Sequence, residues 1–184
     1  MTYINVAYDG LYDALLTGQV DILISALVVT PEFEGRAHFS IPYFNAGEYL
    51  VVRANSSLAS MEEMGGRTLA VEYGSQGDIE ARKWQRRLSE MTVIRDPDPT
   101  AALMAVVSSE ADAALVDGIT ARLGVGQHEE LALGENVVET LIAAGVHPDS
   151  PTLKAQIDTY LADMLEDGTI STLIDKWFGP QRDR

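Results

Sequence analysis

Cysteine is absent from the 184-residue chain, which excludes disulfides, thiolate nucleophiles and cysteine–zinc sites. The absence fits an oxidising compartment without requiring one. Basic residues are scarce: 13 lysines and arginines stand against 28 aspartates and glutamates, a net charge of −15. So acidic a chain lacks the cationic face that nucleic acid or an anionic membrane demands, and neither is expected as a partner. Long apolar runs are missing too. The longest, Ile22 to Val29, is too short to span a bilayer and contains Ser25. The opening MTYINVAYDG has neither the basic stretch nor the apolar core of an export signal. The chain is therefore expected either to be cytosolic or to begin downstream of the natural start. The three histidines (38, 128, 147) have no metal-ligand spacing. No Ser-His-Asp order or paired carboxylates stand out, and no cofactor or metal is expected.

What is present is a globular composition. Hydrophobic residues make up 46% of the chain, enough for a folded core in one large domain or two small lobes. Thr2 to Ala7 reads as a short strand. Asp9 is placed to cap a helix whose apolar Leu11, Ala14 and Leu15 fall at i, i+3 and i+4, with Gly18 ending it. Val20 to Val29 is almost continuously apolar, the pattern of a strand buried on both faces. Thr68 to Glu72 predicts a strand, YGSQGD a glycine-rich turn, Ile79 to Leu88 a helix and Thr92 to Arg95 a strand. In DPDPT, Asp98 takes the N-cap and Pro99 the first helical position. A short helix after Asp117 leads into a polar loop, GQHEELALGEN, and Val137 to Val146 reads as a strand. Pro151 to Glu166 is an amphipathic helix stopping at Gly168, and a last helix ends in DKWFG.

One pattern occurs twice. DALLTGQVDILI (13–24) aligns with MAVVSSEADAAL (104–115): a helix end, a polar turn, a small apolar residue, Asp, then a strand. Any αβ unit can show such a pattern; the alternative, two similar α/β lobes, is the one the rest of the sequence favours. Helices and strands alternate, so the fold class is α/β with mainly parallel sheets flanked by helices. AGEYLVVRA (46–54) and NVVETLIAA (136–144) read as two crossings forming a hinge. Lobe one is then 1–48 plus 142–184, and lobe two 49–141. In open α/β sheets ligands sit at the carboxyl ends of strands, so the expected site is a cleft between the lobes.

The strand ends supply the candidates. Ser75, Gln76 and Gly77 follow a strand and open a helix. Their N–H groups make a corner suited to a carboxylate, with Gly74 and Gly77 permitting close approach, or they are a plain strand–turn–helix corner. Asp117 closes the strand DAALVD and either pairs with a ligand cation or caps the following GITARLG helix, or does both. Thr30, Pro31 and Glu32 are a strong helix start, with Thr30 as a structural cap. Arg82, Lys83, Arg86 and Arg87 form a basic face, expected to be solvated near Glu80 and Glu90.

These residues resemble a family. GQVDILISALVVTPEFEGRAHFSIPYFNAGEYLVVR is similar to the type II extracytoplasmic solute-binding proteins of amino-acid ABC transporters, family 3. YGSQGD, ADAALVDG and LADMLEDGTISTLIDKWFG match in order and spacing, so the resemblance covers essentially the whole chain. It implies a two-lobe protein outside the cytoplasm that closes on a polar amino acid or similar solute and docks on a membrane permease. It also implies ligand roles. Backbone groups of Ala26, Leu27 and Val28 face the solute, Gly74, Ser75 and Gln76 help hold its α-carboxylate, and Asp117 holds its α-ammonium.

Two departures bear on those roles. The family's carboxylate-binding Arg, in T-P-E-R, is Phe33 here, and a Ser or Thr two residues before Thr30 is replaced by Val28. Loss of one partner of a buried charge pair costs on the order of 3–5 kcal/mol. Either Arg36 reaches back to supply the cation, or Phe33 makes the pocket apolar and the ligand is a cation without a carboxylate or a larger amine stacking on the ring. Second, Met1 falls just before the family's second strand, so about 30 residues, one βα piece, are expected to be absent. Such a gap exposes strand edges, so the expectation is a fragment, a mis-assigned start, or a form that makes a homodimer across the gap. The reading is therefore a binding protein for a small amine-bearing solute. The alternatives are an enzyme on the same fold, such as a cyclohexadienyl dehydratase, and a sensor or interaction domain that has lost transport.

Overall fold

A computed structural model of the protein describes residues 2–33 and 35–179. The elements are α1 (Leu11–Leu16), β1 (Ile22–Val28), β2 (His38–Phe39), β3 (Phe44–Asn45), β4 (Glu48–Arg53), β5 (Thr68–Glu72), α2 (Gln76–Gln85), β6 (Thr92–Asp96), α3 (Pro99–Val107), β7 (Ala113–Asp117), α4 (Gly118–Gln127), β8 (Leu131–Val138), β9 (Leu141–Val146), α5 (Pro151–Glu166) and α6 (Thr169–Phe178). They fall into two compact units, Met1–Asn45 with Thr140–Leu173 and Ala46–Glu139 with Ile174–Arg184. The final turns of α6 thus go with the second unit, where lobe one was expected to keep them. The reason is close packing: a Cβ at Gly126 of α4 would overlap the Phe178 carbonyl.

In the first unit β9 is the central strand, with β1 on one side and β2 and β3 on the other, every pair antiparallel. Leu11, Tyr12 and Leu15 of α1 pack on Leu23 and Leu27 of β1. The second unit carries a five-stranded sheet in the order β6-β5-β7-β4-β8. Only β5 with β6 and β5 with β7 run parallel, and β4 is antiparallel to both its neighbours. The first sheet is therefore antiparallel and the second mixed, rather than both mainly parallel, because β9 and β4 run against the strands beside them.

Alternation along the strands sorts the second core into two layers. Leu50, Val52, Leu69, Val71, Ala113 and Leu115 face α2, where Ala81 and Trp84 meet them. Tyr49, Val51, Ala70, Ala114 and Val116 face α3 and α4. The repeat seen in the sequence holds down to its hydrogen bonds. Gly18, Gln19 and Val20 donate to Leu15, Ala14 and Ala14, and Ser109, Glu110 and Ala111 donate to Val106, Ala105 and Ala105. Gly18 and Ser109 both adopt the left-handed conformation, at φ 71° and 65°.

Several local expectations change. Thr2 to Ala7 forms no strand, since among the described residues β1 pairs only with β9. That leaves β1 an edge strand instead of one buried on both faces, with Ile24 64% exposed. Asp9 lies inside a 3₁₀ turn, and α1 starts from Gly10 with no side-chain cap. The segment after Thr30 is a single 3₁₀ turn, Pro31–Phe33, not a longer helix, and the Thr30 hydroxyl is buried with no hydrogen-bond partner among the described residues instead of capping. Most of the expected polar loop is strand β8, because pairing with β4 overrides its composition.

Candidate functional site

The candidates fall in both units. In the first, Ala26 sits at a bulge of β1, where the register with β9 slips between Leu23 and Leu27. Its φ of 50° is left-handed, an unusual conformation for alanine and one that turns backbone groups out of the ladder. Leu27 is buried in the core and Val28 half-buried. Phe33 stacks on Tyr12, with centroids 4.5 Å apart and planes within 7°. Arg36 does not stand free to replace the missing cation: its guanidinium donates to Asp13 at 2.5 Å and lies over the Tyr12 ring at 5.3 Å. Phe33 and Arg36 therefore build a stacked cluster with α1.

In the second unit the strand ends converge. Gly74 takes a φ of 78°, which the turn after β5 requires. The Ser75 hydroxyl donates to the Glu72 carbonyl and accepts from the Asp78 N–H, so it is the N-cap of α2. Gln76 and Gly77 form the first helical positions. Gly77 permits a tight approach, since an added Cβ would lie 2.6 Å from the Leu115 carbonyl, 3.0 Å from Glu48 Oε2 and 3.3 Å from Ser75 Oγ. Asp117 Oδ1 accepts from the N–H groups of Ile119 and Thr120, both at 3.0 Å. The cap uses one oxygen, and Oδ2 takes no hydrogen bond among the described residues.

Two acids that sequence reasoning passed over complete this corner. Asp78 is buried and receives Arg82, Arg95 and the Gly74 N–H. The Arg82 hydrogen bonds hold its carboxyl well below the usual range, at about 2, with Gly74 and Arg95 adding to the effect against the cost of burial. Arg82 and Lys83, from the expected basic face, thus bond Asp78 and Glu80. Glu48, at the head of β4, is only 8% exposed and pairs in register with Asp117. Burial pushes its carboxyl up to about 7, with Asp117, Glu72 and Glu80 adding repulsion. The signal for Glu48 was an acid standing in phase with Leu50 and Val52. The pairing with Asp117 was hidden because it is long-range.

Strand-end carboxylates thus gather beside a helix-opening turn within the second unit, the kind of place where α/β folds hold small molecules. The family follows from comparison. Residues 1–180 match the model of the bacterial extracellular solute-binding proteins, family 3, and the chain belongs to that family. It is 26% identical over 169 residues to the amino-acid-binding protein AabA of Dichelobacter nodosus, covering 90% of this chain and 66% of that one. It is 24% identical to the arginine-binding extracellular protein ArtP of Bacillus subtilis (strain 168), covering 95% and 69%. The solved ancestral cationic amino acid solute binding protein AncCDT-1 superposes with a TM-score of 0.70 at 25% identity, covering 96% of this chain and 77% of that one. The chain spans about two thirds of the length of the two curated relatives. The family is described by solute binding and by an extracellular location.

Proposed function

We propose that this chain captures an amine-bearing solute, an amino acid or a related compound, for ABC-type uptake. The observation that carries the reading is Asp117, held rigidly by two backbone N–H groups with its second oxygen unengaged, beside the Ser75–Gly77 turn. Such a carboxylate suits an ammonium group. Relatives named for amino acids and for arginine support the solute class, and a further relative from Bacillus subtilis (strain 168), named as an ABC transporter glutamine-binding protein, supports a permease as partner. The two compact units are read as the two lobes of such a protein. The exposed apolar edge at Tyr3, Ile4 and Ile24 supports the expected homodimer, which sedimentation velocity would detect.

The test is a thermal-shift panel of amino acids, polyamines and betaines on the full chain, repeated with Asp117→Asn. At least one amine should raise the melting temperature, and D117N should abolish the rise. An unchanged melting temperature across the panel would count against binding, and an equal rise in D117N would remove Asp117 from the site.

A further inference from the structure

We propose that Glu48 is a second ligand-reading carboxylate, and that Glu48 and Asp117 together clasp one cationic head group of the solute, an ammonium or a guanidinium. The inference rests on the reading of Asp117 above and narrows its ligand to an organic cation.

The geometry is set by the sheet. Glu48 of β4 and Asp117 of β7 are directly opposed partners of an antiparallel pair. Opposed residues project to the same face with Cβ atoms about 5 Å apart. That face is the α2 layer, because Glu48 continues the row Leu50, Val52 and Asp117 the row Ala113, Leu115. The Glu48 carboxylate points to the first turn of α2, with Oε2 beside Gly77 and the Ser75 hydroxyl close by.

Its surroundings leave it unanswered. More than nine tenths buried, Glu48 takes part through its carboxylate in no hydrogen bond or ion pair among the described residues. The charged groups facing it are Asp117 from β7, Glu72 from the end of β5 and Glu80 from α2, all acidic. β8 presents Val138 opposite it. The neighbouring cations are engaged elsewhere, Arg82 and Arg95 with Asp78 and Lys83 with Glu80. A buried carboxylate is ordinarily paired or hydrogen-bonded. Here the missing partner is supplied by the ligand. A metal ion is the weaker candidate, since among the described residues no three acidic or histidine side chains converge into a cage. Two adjacent carboxylates suit an ammonium between them or the fork of a guanidinium.

The test is isothermal titration of the full chain with L-arginine, agmatine, L-lysine and cadaverine, against uncharged butylurea, which carries neither ammonium nor guanidinium, at pH 5.5 and pH 8. Wild type, Glu48→Gln and Asp117→Asn are compared after their melting curves show each to be folded. At least one cation should bind, and more tightly at pH 8, where Glu48 ionises. E48Q should weaken that cation at least tenfold and flatten the pH dependence, while Glu48→Asp, which keeps the charge, should recover part of the affinity. If E48Q binds the cation within twofold of wild type with the same pH dependence while D117N does not bind, this inference falls and the Asp117 reading stands. If neither substitution matters, both fall; if no probe binds, this inference falls and the Asp117 reading is decided by the wider panel above.

Discussion

Replacing Asp78 by Asn should loosen the turn that shapes the site. The native carboxylate receives two hydrogen bonds from Arg82, at 3.1 and 2.6 Å, and one from Arg95 at 2.8 Å. It also accepts the Gly74 N–H at 3.2 Å. The asparagine amide can keep one acceptor but sets an NH₂ group against a guanidinium. Lowering a carboxyl from its usual 3.8 to about 2 is worth about 2 kcal/mol at neutral pH, at roughly 1.4 kcal/mol per pH unit. Arg82 is half-exposed and can rehydrate once released, so the loss stays near that figure and below the roughly 3–5 kcal/mol of a fully buried broken pair. For a chain of this size about 2 kcal/mol is a drop in melting temperature of roughly 4–8 °C.

The pH dependence isolates the charge. A carboxyl whose folded pKa lies below its unfolded value stabilises the protein above the unfolded value, and the stabilisation is lost as pH falls through the folded one. The difference between wild type and D78N should be full at pH 7 and pH 5, shrink below about pH 4 and be nearly gone at about pH 2. Circular-dichroism melts of both proteins in parallel would follow it, other acids titrating alike in the two. A gap as wide at pH 2 as at pH 7, or no gap at pH 7, would refute the assignment of Asp78 as a charged keystone of the turn.

Gly77→Ala should lower stability and ligand affinity together, because the new methyl meets the Leu115 carbonyl at 2.6 Å, a backbone atom that cannot step aside; a folded variant with unchanged melting temperature would contradict this. Phe33→Ala should cost roughly 2 kcal/mol by losing the stack on Tyr12, read by urea denaturation. Glu48→Gln should stabilise the ligand-free protein at pH 8 by up to about 3 kcal/mol and leave it nearly unchanged at pH 4, because the raised native pKa penalises folding only as pH climbs from 4.5 through about 7. Matching melting temperatures at pH 8 would show that Glu48 carries no such penalty.

What the sequence made legible was mostly local. Asp98 with Pro99 brings its cap along in a few neighbouring residues and formed as expected, while Ser75 opens its helix as expected and also caps it, a role not read from YGSQGD. The repeat was legible because helix end, turn and strand lie within a dozen residues. The failures needed distant partners. β8 was read as a loop because its strand character comes from β4, far away in the chain. Thr2 to Ala7 has strand composition, but β1 does not pair with it. Glu48 was passed over within AGEYLVVRA, because only the register of β4 against β7 sets it opposite Asp117.

Two buried acids meet at the same helix-opening turn, and their difference separates scaffold from site. Asp78 is saturated: two guanidinium groups and a backbone N–H satisfy it, its proton is lost easily, and no solute has anything to add. Glu48 is starved: the charges around it among the described residues are all negative, its proton is held tightly, and on the inference above the ligand is its partner. Burial alone would have marked both equally. The supply of donors decides which acid fixes the turn and which reads the ligand. A group that is costly in the empty protein and neutralised by a cation also makes binding selective, because a neutral solute would leave the Glu48 charge buried and unanswered.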